Sequence, residues 1–107
     1  MAFYLVTAKP IRSKMDTLRK WLDSGEIRAM QPFGRALQMG LDGARWQSDD
    51  MAIWEEEDYC VPTLAQERAA VLDEYFTDLE VQHVNKGEGW KEIDSLERIW
   101  EDHDHSS

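Results

Sequence analysis

Four consecutive acidic residues, Glu55-Glu56-Glu57-Asp58, run directly into Tyr59 and Cys60, and no other segment of this chain gathers so much chemistry. On an extended strand side chains alternate between faces, so Glu55, Glu57 and Tyr59 share one face while Trp54, Glu56 and Asp58 share the other. Carboxylates then stand on both faces, including the one a core must cover. A carboxylate in an apolar site holds its proton to higher pH and can serve as a general acid or base. Glu55 and Glu57 are taken here as the candidates for that role. The competing arrangement ends strand pairing near Trp54 and leaves the acidic run solvated.

Further candidates lie elsewhere in the chain. His83 shares a strand face with Leu79 and Val81, which points it toward a core or an enclosed interior where a neutral imidazole can act as a base; the plainer role is a satisfied structural histidine. Arg35 follows Pro32-Phe33-Gly34 and offers a planar fork of donors for a carboxylate ligand, unless Glu55 or Glu57 pairs with it first. Tyr4 and Trp54 are the aromatic residues expected to line a ligand pocket. Cys60 stands before Val61-Pro62 at a helix start, where a helix dipole favours a thiolate, but the acidic run beside it opposes ionisation. His103-Asp104-His105 in a polar tail make a weak, adventitious metal chelator, and a single Cys excludes a disulfide within the chain or a multi-Cys metal site. Gly87-Glu88-Gly89 lacks the residues of a phosphate loop. No metal or cofactor is expected.

The elements that must position these residues are legible from periodicity. Phe3 to Ala8 reads as a buried strand that stops at Pro10. Ser13 is placed to cap a helix carrying Met15, Leu18 and Leu22, with Gly25 as its left-handed stop after Ser24. Residues 35–41 alternate Leu37, Met39 and Leu41, which favours a strand, although Pro32 could open a short helix to Gly40 instead. The polar stretch 47–50 and the apolar run from Met51 to Trp54 close a hairpin. Thr63 and Gln66 have capping-box spacing ahead of a helix to Thr77 or Asp78, with Ala65, Ala69, Leu72, Phe76 and Leu79 as its stripe. Leu79 to Val84 reads as the last strand, and Trp90, Ile93, Leu96 and Trp100 suit a closing helix. Residues 1–100 therefore form a single α+β domain, and 101–107 a polar tail expected to be mobile.

The order β-α-β-β-α-β plus a C-terminal helix is the ferredoxin-like arrangement, a sandwich of helices on one face of a four-stranded antiparallel sheet. Both sides of the first strand are apolar, Phe3 and Leu5 on one and Tyr4 and Val6 on the other, so a second copy packing sheet to sheet is the simplest cover. In length, element order and two-sided strands the chain resembles the dimeric α+β barrel superfamily, to which YCII-related and muconolactone-isomerase-like proteins belong. The likeness covers roughly residues 3–85 and rests on topology. It implies a homodimer with a shared barrel. YCII-related proteins carry a His–Asp pair with its His in the first half, whereas all three His here lie in the last quarter.

Composition narrows the function class. The chain has 107 residues, 42 % hydrophobic and 32 % charged, with five Trp, which is the composition of a folded globular domain. A net charge of −10 argues against nucleic acid, whose binders need a cationic face. Residues 1–45 carry a net +4 and residues 46–107 a net −14, a split that could steer a partner or cancel within the fold. No apolar run approaches the roughly 18 residues of a membrane span, and the first ten residues lack a basic leader, so the cytoplasm is the expected location. The function expected is binding of a small molecule, extending to cofactor-free acid/base chemistry on a small organic acid or ketone. The alternative is a non-enzymatic module whose acidic half binds a basic protein.

Overall fold

The structure is a computed structural model and describes residues 2–100. Strand β1 spans Ala2–Pro10, and a single 3₁₀ turn, Arg12–Lys14, leads into helix α1, Met15–Ser24. Helix α2 (Gly34–Asp42), the short strand β2 (Arg45–Trp46) and strand β3 (Ala52–Asp58) follow. Helix α3 covers 65–75 and contains a π-helical turn at Arg68–Leu72; strand β4 (Phe76–Val84) and helix α4 (Glu88–Ile93) complete the chain. The four strands form one antiparallel sheet in the order β2-β3-β1-β4. This α+β architecture fits a ferredoxin-like fold in general, with one more helix than the sequence suggested. No helix among the described residues is long and apolar enough to cross a membrane. The tail expected to be mobile, with His103 and His105, lies outside the described residues.

Three local readings are corrected. The stretch 35–41 is helical, and the strand expected there shrinks to Arg45–Trp46. Leu37 and Leu41 are four apart, so a helix buries both completely and leaves Met39, 67 % exposed, outside. A strand would have put all three on one face. Ser13 makes no cap: the 3₁₀ turn precedes α1, and Lys14 is its cap residue without a side-chain bond. Thr63 and Gln66 form no capping box either, because α3 starts after Leu64, and the Leu64 N–H is taken by the Asp58 carboxylate at 2.6 Å. The stop at Gly25 holds, with φ +85° and its N–H on the Leu22 carbonyl.

The chain packs on both faces of β1 and β3 and leaves most of β4 exposed. On one face Val6, Ala8 and Trp54 meet Leu18 and Leu22 of α1, Leu37 and Leu41 of α2, and Val71, Leu72 and Tyr75 of α3. On the other, Leu5, Ile53 and Val84 pack with Ile93 of α4, and Phe3, Trp90 and Leu96 extend that cluster. The closing helix is shorter than expected. After Ile93 the chain runs past β2 instead, where Trp46 N–H donates to the Glu97 carbonyl at 2.8 Å and Ile99 N–H to the Ala44 carbonyl at 3.0 Å. Trp100 then anchors the segment through its indole N–H on the Leu41 carbonyl at 2.6 Å.

Candidate functional site

Strand β3 continues as a paired strand through the acidic run to Asp58, opposite Ala2–Ala8 of β1. Its other edge is paired only at Ala52 and Ile53, by β2. Beyond that point helix α2 packs along it. The acidic residues therefore project above and below a strand whose outer edge is walled by a helix, and a cavity opens on either side.

Glu55 lies on the α4 face and is 5 % exposed. One of its carboxylate oxygens accepts the N–H of Gly87 at 2.9 Å; the other accepts those of Gly89 at 2.8 Å and Trp90 at 3.2 Å. These are the donors that the first turn of α4 leaves unpaired, and an anion is the acceptor best suited to them. The turn demands its glycines: Gly87 has φ +82°, and a Cβ on Gly89 would stand 2.9 Å from both Glu55 Oε1 and Leu5 Cδ1. Glu55 is thus the clasp that holds the C-terminal helix on the sheet.

Beside this clasp is a cavity of about 360 Å³. Phe3, Met39 and Trp90 supply apolar wall, Glu57 stands at one side, and Arg35 and Lys86 supply the cations. Arg35 reaches it from the first turn of α2 and not from a strand. Among the described residues neither Arg35 nor Lys86 has an ion-pair partner, so the expected pairing of Arg35 with Glu55 or Glu57 does not form. Glu57 is half-buried and accepts the Tyr59 hydroxyl at 2.8 Å.

On the opposite face the carboxylates are more deeply enclosed. Glu56 is 2 % exposed, Asp58 4 %, and Glu67 of α3 fully buried. The indole N–H of Trp54 donates to Glu56 Oε1 at 2.9 Å. Among the described residues no N–H or hydroxyl donor reaches Glu56 Oε2 or Glu67 Oε2, the Glu67 carboxyl lies within hydrogen-bond reach of the Glu56 and Asp58 carboxyls, and no ion pair involves Glu56, Asp58 or Glu67. Burial drives the Glu56 carboxyl well above the ordinary range; the Trp54 bond opposes this, and the neighbouring Glu67 and Asp58 add to it. Burial likewise raises Glu67, with Asp58 adding to the effect. Asp58 holds Leu64 in a left-handed conformation, φ +62°, a strained state for a leucine that is retained because its side chain is fully buried. The Cys60 sulfur lies 3.7 Å from Glu67 Oε1 and 3.8 Å from Gln66 Oε1. A backbone hydrogen bond at Gln66 favours its thiolate, but burial and the carboxylates of Asp58 and Glu67 outweigh it and the thiol is raised. A second cavity, about 300 Å³, opens here between Pro32, Phe33, Ala36, Val61 and Cys60.

The residues singled out from sequence are thus only partly brought together. Arg35, Glu55 and Glu57 meet around one cavity. His83 is exposed on β4 and meets the edge of the Tyr4 ring, with ring centroids 5.6 Å apart; neither lines that cavity. Trp54 is fully buried, with its polar atom committed to Glu56. Sequence reasoning set aside Glu56 and Asp58, although strand alternation had put them on the covered face, and it passed over Glu67. The signal for Glu67 was its spacing with Leu64, Val71 and Tyr75, which makes the buried stripe of α3 the row one place from Ala65 and Ala69.

Comparison of the chain with protein-family models, curated proteins and solved structures finds no match. The geometry of the chain itself therefore carries the functional argument.

Proposed function

We propose that the chain binds a small organic acid in the cavity between β3, α2 and the start of α4. The observation that carries this reading is the pair of cations, Arg35 and Lys86, both exposed and without ion-pair partners among the described residues, beside an apolar wall of Phe3, Met39 and Trp90. An anion with an apolar body satisfies both. Two carboxylates share the cavity with the cations: Glu55 is engaged by three N–H donors at the start of α4, and Glu57 accepts the Tyr59 hydroxyl. Glu57 is then the carboxylate left to face a bound molecule. Of the three acid/base candidates read from sequence it is the one still available, since Glu55 is occupied and His83 lies elsewhere.

A volume near 360 Å³ is at the small end of ligand pockets and suits an acid of one ring or a short chain. The site is complete within one copy. On the face of Leu5 and Ile53, where a barrel partner would pack, α4 of the same chain covers one part and Glu80 and Gln82 of β4 remain exposed.

Calorimetric titration with benzoate as the probe is expected to show one site, weakened about tenfold or more by Arg35→Ala and again by Lys86→Ala, as for loss of a charge-assisted hydrogen bond. Benzyl alcohol, which has the ring without the charge, should bind more weakly than benzoate. Equal binding of both probes, or no effect of either substitution, would remove the reading and leave the acidic interaction module as the better description.

A further inference from the structure

We propose that Asp58, Cys60 and Glu67 form a binding site for a divalent metal ion of the zinc class, with Glu56 directly behind it. The inference stands on a different cavity from the one above and does not depend on that reading. The ligand atoms of Asp58, Cys60 and Glu67 all lie within 4.8 Å of one another. Zinc binds carboxylate oxygens at about 2.0–2.2 Å and thiolate sulfur at about 2.3 Å, so small side-chain movements close these three around one ion. Here Glu67, fully buried, and Glu56, 2 % exposed, each present an oxygen that no N–H or hydroxyl group among the described residues reaches, their nearest polar neighbours being one another's carboxyls, and no cationic side chain among the described residues pairs with the set. Without a metal such buried carboxyls take up a proton; a metal ion that displaces the proton gives them the pairing a buried charge requires. One sulfur with two or three oxygens suits zinc better than magnesium or calcium, which take oxygen alone.

The local backbone supports a built site. Cys60 lies within the loop closed by the Asp58–Leu64 hydrogen bond and Glu67 three residues beyond it, and the π-helical turn Arg68–Leu72 begins at the residue after Glu67. Such turns in helices occur frequently at functional sites. With three protein ligands, a fourth position faces the cavity of Phe33, Ala36 and Val61, open to water or to a small ligand.

The test uses the full chain, reduced and stripped with a chelator, titrated with zinc in competition with a chromophoric chelator. One equivalent is expected, weakened at least tenfold by Cys60→Ser and by Glu67→Gln, and unchanged by the double variant His103→Ala/His105→Ala. Cobalt provides the independent readout: a near-ultraviolet thiolate-to-cobalt band that Cys60→Ser abolishes. Circular dichroism of each metal-free variant checks that the fold persists. The proposal is overturned by the absence of stoichiometric zinc binding, by zinc binding that survives both site substitutions or vanishes with the two histidines, or by cobalt spectra without a thiolate band.

Discussion

Truncating Glu55 to alanine is expected to destabilise the protein by about 4 kcal/mol and to release the C-terminal helix before the rest of the fold. The carboxylate accepts three backbone N–H groups, from Gly87, Gly89 and Trp90, in a site 5 % exposed. A hydrogen bond to a charged group contributes roughly 1.5–3 kcal/mol, and each buried donor left without an acceptor costs about 1–3 kcal/mol, so the loss exceeds that of a typical surface substitution several-fold. Hydrogen exchange should locate it. Amides of Gly89 to Ile93 are expected to lose protection in Glu55→Ala, while those of β1 and α1 keep theirs relative to global stability. A variant that melts within a degree of the parent, or loses ligand binding with full stability, would assign Glu55 to chemistry instead of support.

The second large effect concerns Glu56 and runs with pH. Its carboxyl titrates above the ordinary value of 4.5 because it is buried, with only Trp54 as a donor and with Glu67 and Asp58 as acidic neighbours. A group that binds its proton more tightly when folded stabilises the fold fully below its unfolded pKa, and that contribution disappears as the pH rises through the folded value. The contribution of Glu56 to the stability of metal-free protein should therefore decline from about pH 5 upward, the reverse of the usual carboxylate trend. Glutamine in place of Glu56 keeps the Trp54 bond, cannot ionise, and offers an N–H to the unpartnered Glu67 oxygen. It is expected to raise stability at pH 8 by about 2 kcal/mol, roughly 10 °C in midpoint, and to flatten the pH dependence. Thermal melts in the presence of chelator, from acid to alkaline pH, measure both. A glutamine variant less stable at pH 8, with the parent's pH profile, would contradict it.

The parts of the fold legible from the sequence were those set by one residue type at one position. The first strand and the helix ending at Gly25 follow from runs that admit a single period, whereas the last strand begins at Phe76, three residues before its expected start, because Phe76 and Leu79 also fitted the stripe of the preceding helix. Residues 35–41 did not, because Leu37, Met39 and Leu41 satisfy alternation while Leu37 and Leu41 also satisfy the helical spacing. Packing on Trp54 decided between them, and packing is not in the sequence pattern. The site divided the same way. That carboxylates would occur on both faces of β3 was readable from alternation, and Arg35 was readable as a cation close to the acidic strand, though from the wrong element. Which carboxylate would be clasped and which left without a donor depended on where α4 and α3 come to rest. Glu67 is eleven residues in sequence from Glu56, and only the fold makes them neighbours.

Whether this chain binds a small acid beside β3 is tested most directly by mapping the benzoate site on the protein itself. In a two-dimensional ¹H–¹⁵N NMR titration, the amides of Arg35, Ala36, Met39, Lys86, Gly87 and Trp90 should shift together along one saturable curve. The amides of Cys60 and Val61, in the other cavity, should stay in place. Shifts that never saturate, or that scatter over the exposed face of β4 and leave Arg35 and Lys86 unmoved, would contradict the proposed binding site.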